Sequence, residues 1–160
     1  MMEKQHASKK VPEYFFVRKT FEELSAAELY EIVQLRIAVF VVEQNCPFQD
    51  CDDLDLRASH LMLYDVEDNL CAYARYYFLS EPNTVHIGRV VVKKTLRMNG
   101  LGRLLMDRVL TEIRKNTTAD SIEISAQLYL KRFYEDFGFE IEGRTYSEDR
   151  IIHVKMIKSL

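Results

Sequence analysis

The segment between Val90 and Lys115 most constrains what the chain can fold into, because it reads as a strand, a glycine turn and a helix. Three consecutive valines at its start favour an extended strand, since β-branched side chains fit a pleated surface. Gly100 and Gly102 follow, and glycines leave backbone N–H groups unobstructed in front of the positive end of a helix. The turn is therefore predicted to bind a phosphate or pyrophosphate. The apolar residues behind it recur at helical spacing: Leu101, Leu104, Leu105, Val109 and Ile113.

Length and charge set the broad class of the protein. The 160 residues predict one domain over residues 11–160, preceded by a disordered tail at residues 1–10. The net charge of −3 gives no general reason to expect nucleic acid as a partner. A basic segment, residues 93–115, surrounds the glycine turn, either as an anionic cofactor would require or as a hydrated surface. An acidic segment, residues 50–68, is either a hydrated surface or a region that serves a cationic substrate.

The cysteines and the absence of long apolar runs bear on the compartment. The three cysteines are Cys46, Cys51 and Cys71, and no secretory signal precedes them. No run approaches the ~18 apolar residues of a membrane span, so we expect a cytoplasmic protein with reduced thiols and no membrane partner. Cys46 and Cys51 do not have zinc-ligand spacing, and the carboxylates around them prefer harder ions. We therefore expect no metal.

The order of the elements is predicted from hydrophobic periodicity as β-α-β-β-β-α-β-α-β-β. Ser25 and Glu28 form a capping box that begins a first helix reaching Phe40. Near the C-terminus we predict a helix over residues 128–137 and a strand over residues 139–146. This order indicates a mixed sheet with helices on its faces rather than an alternating dinucleotide-binding fold. The glycine turn also lacks the patterns of dinucleotide and P-loop sites.

Two motifs resemble the GNAT superfamily of acetyl-CoA-dependent N-acyltransferases. Arg97-x-x-Gly100-x-Gly102 is similar to its cofactor motif, Arg/Gln-x-x-Gly-x-Gly/Ala. Tyr134-x-x-x-Gly138-Phe139 is similar to its Tyr-x-x-x-Gly-Phe motif. Their separation and the element order extend the resemblance over residues 14–157.

A longer stretch resembles one branch of that family. Residues 35–50, with Asp52, Asp55 and His60 after them, are similar to the signature of the ElaA-like branch. The start of the stretch also looks like the acyl-homoserine-lactone synthases, which share the fold.

The resemblance implies a single α/β (α+β) domain of the GNAT fold, with a mixed, mostly antiparallel central sheet flanked by helices. It implies acetyl-CoA as cosubstrate without a metal, and direct transfer of the acetyl group to a primary amine in a ternary complex. The acceptor would be a small molecule or a peptide, cationic if the acidic segment serves it. A homodimer is common in such folds.

The resemblance also implies which residues hold the cofactor. Arg97 and Arg103 would add charge-assisted contacts to the pyrophosphate. The backbone of Val90, Val91 and Val92 would pair with the pantetheine arm and polarise the acetyl carbonyl. Gln127 stands where many members of the family carry Asn, and it would hydrogen-bond the pantetheine. The N–H groups of the turn would hold the pyrophosphate: Met98, Asn99, Gly100, Leu101, Gly102 and Arg103.

Each candidate catalytic residue also has a structural interpretation. Tyr134 would donate a proton to the departing thiolate, or it is a core tyrosine on an aromatic helix face. Glu43 is the first candidate for the base, since a position facing the cleft would raise its pKa, but a surface residue at a helix end is the alternative. His60 and His86 are further candidates, each also readable as a structural histidine. A relayed water would need no dedicated base.

Two other features of the sequence bear on the site. Arg36 lies on the apolar face of the first helix and needs a carboxylate partner, for which Asp52 or Asp55 is available. Arg75 and Arg89 are expected to join such a network. Two other functions stay open: a module that binds CoA without transferring an acyl group, and an enzyme resembling the lactone synthases.

Overall fold

The computed structural model describes residues 13–79 and 83–160, and the predicted tail at residues 1–10 lies outside them. Within these residues, eight strands form one sheet with the order β1-β2-β3-β4-β5-β8-β6, and β7 also pairs with β8. The strands are β1 (Tyr14–Thr20), β2 (Ser59–Asp65), β3 (Leu70–Leu79), β4 (Thr84–Val92), β5 (Ser121–Gln127), β6 (Glu140–Ile141), β7 (Tyr146–Glu148) and β8 (Ile151–Ser159). Only β4 and β5 pair in parallel, so the predicted mixed, mostly antiparallel sheet is confirmed.

In the described part of the chain, three α-helices accompany the sheet: α1 (Ala26–Arg36), α2 (Leu101–Asn116) and α3 (Lys131–Glu135). The predicted capping box of Ser25 and Glu28 begins α1. The predicted α-helix to Phe40 is wrong beyond Arg36, where the chain continues as a π-helix over Ile37–Glu43. The N–H of Gln44 there bonds to the carbonyl oxygen of Val39 at 3.1 Å, which is the i to i−5 spacing of a π-helix.

Each face of the sheet has its own apolar cluster. The larger cluster lies under α2, whose Leu105, Met106 and Val109 are fully buried. The smaller cluster lies under α1, where Ile32 packs with Met62. The sheet is therefore covered by one long helix on each face, as the α+β class requires.

A β-bulge at Arg89 shapes the centre of the sheet. Arg89 has a φ of 53°, and the register between β3 and β4 shifts there. The parallel pairing of β4 with β5 runs only from Thr84↔Ser121 to Ile87↔Ile124. Because the last residues of both strands are not paired with each other, β4 and β5 separate and leave an opening between them.

The C-terminal part differs most from the prediction. A strand over residues 139–146 is wrong: only Glu140–Ile141 and Tyr146–Glu148 are extended and paired. Phe139 is buried in the core, and Gly143 has a φ of +83°, which turns the chain away from a straight strand. The predicted helix over residues 128–137 is one 3₁₀ turn followed by the short α3.

Candidate active site

The glycine turn places free backbone donors at the start of α2. Gly100 is the N-cap residue with a φ of 78°, and no side chain caps the helix. Met98, two residues earlier, also has a positive φ, of 65°. The first amides of a helix have no partner within it, and they carry the positive end of its dipole. The turn is therefore arranged to receive an anion.

A cleft of about 430 Å³ opens between the separated ends of β4 and β5 and the N-terminus of α2. Among the residues predicted to bind the cofactor, only Asn99 does not line this cleft. The Asn99 side chain instead donates to the carbonyl oxygens of Leu96 and Arg97, at 3.1 and 3.2 Å. The predicted residues that do line the cleft are Val90, Val91, Val92, Arg97, Met98, Gly100, Leu101, Gly102, Arg103 and Gln127.

Tyr134 lies on α3 at the wall of the cleft. Its ring packs edge-on against Phe133 and Phe139, so the residue belongs to the core and also borders the opening. The residue is 6% exposed, and no hydrogen bond to its hydroxyl is formed by the described residues. Burial raises the pKa of Tyr134, which keeps the phenol protonated and able to donate a proton.

Glu43 borders the same cleft, but its electrostatics differ from the expectation. Arg97 Nη1 donates to Glu43 Oε1 at 2.5 Å. This hydrogen bond, and then the charges of Arg97 and Lys94, lower the pKa of Glu43. The expected rise in its pKa is wrong, because an opposite charge lies within contact distance. An ionised, paired carboxylate is a poor proton acceptor, so Glu43 is better placed to orient Arg97.

His60 and His86 do not line the cleft. His60 is fully buried, with its ring nitrogens 2.7 Å from the hydroxyl of Tyr73 and 3.0 Å from the carbonyl oxygen of Asp55. His86 stacks on Tyr77 and lies 3.4 Å from Glu123. Burial lowers the pKa of both histidines. Their surroundings are those of structural histidines.

A second, smaller cavity of about 120 Å³ adjoins the cleft. Tyr134, Val90, Gln44 and Gln127 line both spaces, so the two meet at these residues. The rest of the wall of the smaller cavity comes from chain segments that are far apart in sequence. Two of these segments meet where the Cys46 thiol donates to the carbonyl oxygen of Asp149 at 2.9 Å. From the sequence, Arg89 was expected in the arginine–carboxylate network and not in a cavity wall. No site role was assigned to the other polar residues that line only this cavity: Cys46, Ser125, Glu148, Asp149 and His153.

One signal in the sequence does point to part of that wall. Val154 and Met156 are apolar and alternate along β8, so His153 must face the opposite side of the sheet from the α2 core. The approach of Cys46 and Asp149 has no such signal, because it depends on how the loop after the π-helix meets the turn before β8.

Buried arginines hold the acidic loop in place. Arg36 is 0% exposed, and it donates to Asp55 Oδ1 at 2.7 Å and to Asp50 Oδ2 at 2.8 Å. Asp55 was one of the two expected partners and is confirmed. Asp52 was the other, but it pairs with Arg75 and Arg89 instead. Asp50 was not foreseen as a partner.

The network changes the interpretation of the acidic segment. Although burial raises the pKa of Asp55, hydrogen bonds and charge from Arg36 and Arg75 outweigh it, and the net shift is downward. The same balance lowers the pKa of Asp52. Since these carboxylates are ionised and paired with arginine, they are not available to attract a cationic substrate. The network instead fixes the loop that carries Cys46 and Phe48 to the second cavity.

Two further observations concern the described residues alone. None of the helices in that part of the chain is long and apolar enough to cross a membrane. Within residues 13–79 and 83–160, no three His, Cys, Asp or Glu side chains group as ligands of one metal ion would.

Comparison with known proteins agrees with this architecture. A profile of the acetyltransferase (GNAT) domain matches residues 26–160. Escherichia coli ElaA is 40% identical over 141 residues, which span 86% of this chain and 92% of that protein. A Schizosaccharomyces pombe protein is 42% identical over 142 residues, which span 88% of this chain and 94% of that protein.

Solved structures have the same fold. An acyl-CoA N-acyltransferase from Pseudomonas aeruginosa superimposes with a TM-score of 0.84 at 37% identity, over 91% of this chain and 99% of that one. The structure of E. coli ElaA superimposes with a TM-score of 0.83 at 37% identity, over 92% of this chain and 99% of that one. With its glycine turn, divided sheet and C-terminal tyrosine, this chain belongs to the GNAT acetyltransferase family, in the branch that includes ElaA.

Proposed function

We propose that the protein transfers the acetyl group of acetyl-CoA directly to a primary amine while both substrates are bound. The observation that carries this proposal is that two separate spaces meet at the phenol of Tyr134. Direct transfer requires the thioester and the amine to be held together at one point. The larger space suits an extended cofactor, and the smaller one suits the end of an acceptor molecule.

The residues of the larger cleft fit acetyl-CoA. The uncapped start of α2 offers backbone donors for a pyrophosphate. Arg97 and Arg103 line the cleft beside it, each in a salt bridge, with Glu43 and with Asp136, and a guanidinium in a salt bridge still has further N–H donors for an anion. The edge of β4 that faces β5 has no strand partner beyond Ile87 within the described pairing, so its backbone is available to a pantetheine arm. Acetyl-CoA would supply the thioester that the amine attacks.

We propose that the acceptor is cationic, on evidence different from the acidic segment. Glu148 and Asp149 line the smaller cavity and are exposed to solvent. Arg89, which also lines the cavity, is paired with Asp50 and Asp52. The unbalanced charge of the wall is therefore negative, which favours an alkylammonium group. A volume of about 120 Å³ admits the amino end of a molecule rather than a bulky group.

Tyr134 serves the departure of CoA in this proposal. The neutral amine nitrogen attacks the acetyl carbon, the carbon–sulfur bond breaks, and the phenol donates its proton to the sulfur. A proton then leaves the nitrogen for the phenolate oxygen, which restores the phenol. A thiolate is a good leaving group, since thiols ordinarily ionise near pH 8.5, so the assistance needed is modest. The phenol is kept protonated by its burial.

The experiment is a measurement of CoA release from acetyl-CoA with a panel of diamines, polyamines, amino acids and peptides. Release that depends on a cationic primary amine, with the acetylated amine identified by mass spectrometry, supports the proposal. Binding of CoA by calorimetry without release for any amine would instead favour a module that binds CoA and transfers nothing.

A further inference from the structure

His153 occupies the centre of the C-terminal part of the sheet. On β8 it is paired with Gln127 of β5 on one side and with Tyr146 of β7 on the other. Its neighbour Val154 faces the α2 core, so His153 faces the smaller cavity, which it lines together with Tyr134. An imidazole therefore stands next to the point where the two cavities meet.

The hydrogen bond of this imidazole defines its tautomer. Nδ1 lies 2.9 Å from the backbone carbonyl oxygen of Ile151. A carbonyl oxygen can only accept a hydrogen bond, so Nδ1 must carry the proton. In the neutral ring Nε2 then has the free lone pair. The ring of Tyr146 stacks on the imidazole, with centroids 5.9 Å apart and an interplanar angle of 22°, which holds this orientation.

The protein's other polar groups in the cavity are each unsuited to accept a proton from an amine. Gln44 and Gln127 hydrogen-bond to each other through amides, which are not basic. The guanidinium of Arg89 has only hydrogen-bond donors, and the thiol of Cys46 donates to a carbonyl oxygen. The side chain of Ser125 is bonded to the hydroxyl of Tyr146.

Two carboxylates and the phenol remain. Glu148 and Asp149 are exposed in the turn at the edge of the cavity, where water solvates them, so they suit attraction of an ammonium group. Tyr134 is needed as a proton donor, and its burial keeps it protonated. Among the described residues that line this cavity, His153 is left as the polar side chain that is partly buried and oriented with a free lone pair.

We propose that His153 is the general base of the acetyl transfer, an assignment that rests on the proposed function. Nε2 takes one proton from the ammonium group of the acceptor, which frees the nitrogen lone pair. That nitrogen forms a bond to the acetyl carbon as the carbon–sulfur bond breaks, and Tyr134 protonates the sulfur. The second proton leaving the nitrogen returns to the Tyr134 oxygen, and His153 releases its proton to solvent. One proton is thus released for each amide formed.

The test uses His153→Asn in the full chain. An Asn amide N–H can still donate to the Ile151 carbonyl oxygen, so the hairpin is retained while the basic nitrogen is lost. We expect kcat/KM for the amine to fall by about 10²-fold or more, within the usual range for a lost general base, with CoA affinity unchanged. If the imidazole only stabilises the β7–β8 hairpin, this variant should turn over the amine at nearly the parental rate. That result would overturn the assignment.

A second variant, His153→Ala, tests the base chemically. It leaves space at the cavity, and added imidazole should restore its turnover in proportion to the imidazole concentration. Tyr134→Phe, impaired in a different step, should gain nothing from imidazole. Thermal melting would reveal whether His153→Ala folds. If it does not fold, the kcat/KM of His153→Asn alone tests the assignment. A parental protein that turns over no amine refutes the proposed function itself, whereas an active parent with an active His153→Asn refutes only the base.

Discussion

The side-chain amides of Gln44 and Gln127 form two reciprocal hydrogen bonds, of 3.2 and 3.1 Å. They join the end of the π-helical segment to the end of β5, and both residues line both cavities. The side-chain oxygen Oε1 of Gln127 also accepts a hydrogen bond from the hydroxyl of Tyr129 at 2.5 Å. The amide expected to bind pantetheine is therefore hydrogen-bonded to the side chains of Gln44 and Tyr129.

The hydrogen-bonded amides predict an interaction energy between Gln44 and Gln127 that depends on whether CoA is bound. In a double-mutant cycle with Gln44→Ala and Gln127→Ala, we expect a coupling of about 1 kcal/mol in the free energy of unfolding. If Gln127 turns to the pantetheine on binding, saturating CoA should reduce that coupling. Urea unfolding with and without CoA measures both values, and an equal coupling in the two conditions would contradict a role for Gln127 in binding CoA.

Tyr134→Phe removes the phenolic proton and leaves the ring packing in place. We expect turnover to fall by about 10²-fold, the lower end for acid catalysis, because a thiolate needs little assistance. Affinity for CoA should not change. Steady-state kinetics and calorimetry measure the two effects. Tyr30→Phe is the matched control, since Tyr30 is 69% exposed on α1, and equal turnover in both variants would remove Tyr134 from the mechanism.

Asp55→Asn tests the buried network. The substitution removes the charge that Arg36 and Arg75 share, and Arg36 is fully buried. We expect the free energy of unfolding to fall by about 3 kcal/mol, because a buried charge loses a partner. Asp53→Asn, in the same loop and exposed, should change it by less than about 0.5 kcal/mol. Similar losses in the two variants, measured by urea unfolding, would show that the network is not what stabilises the loop.

His60 makes stability dependent on pH. Because burial lowers its pKa in the folded state, the unfolded chain binds a proton first as the pH falls. The contribution of neutral His60 to the free energy of unfolding is complete at pH values above the ordinary histidine pKa of about 6.5. It is lost as the pH falls below that value, at no more than about 1.4 kcal/mol per pH unit.

Urea unfolding at pH 7.5 and 5.5 should show this loss, and His60→Gln should make it smaller. The loss should not disappear, because burial also lowers the pKa of His86. An identical pH dependence in parent and His60→Gln would contradict the prediction.

The two glycines of the turn should respond differently to alanine. Gly100 has a φ of +78°, so Gly100→Ala should cost about 1 kcal/mol in stability although the Cβ would meet open space. A Cβ on Gly102 would reach ordinary contact with Phe133 and Val92, at 3.7 and 3.8 Å, and the backbone there needs no positive φ. Gly102→Ala should keep its stability and lose CoA affinity, because the methyl group narrows the cleft. Thermal melting and calorimetry with CoA distinguish the two, and a stable Gly100→Ala would contradict the prediction.

Local features of the chain were predictable because one element's sequence encodes them. The capping box of Ser25 and Glu28 lies within four residues, and the boundaries of β3 and β4 follow from apolar runs between turns. The wrong predictions also arose from patterns in short stretches of sequence. Periodicity did not distinguish an α-helix from the π-helix after Arg36, and it extended a strand through the turn at Gly143.

The sequence by itself determined the glycine turn at the start of α2, the tyrosine on α3 and the family to which both motifs belong. Backbone φ at Gly100 and side-chain type at Tyr134 are properties of single positions, so a linear pattern contains them. Only the tertiary structure decided which charges were paired. Glu43 meets Arg97 across 54 positions and Cys46 meets Asp149 across 103. Such contacts depend on how the loops close around a sheet divided between β4 and β5, and that closure decides which side chains face the acceptor.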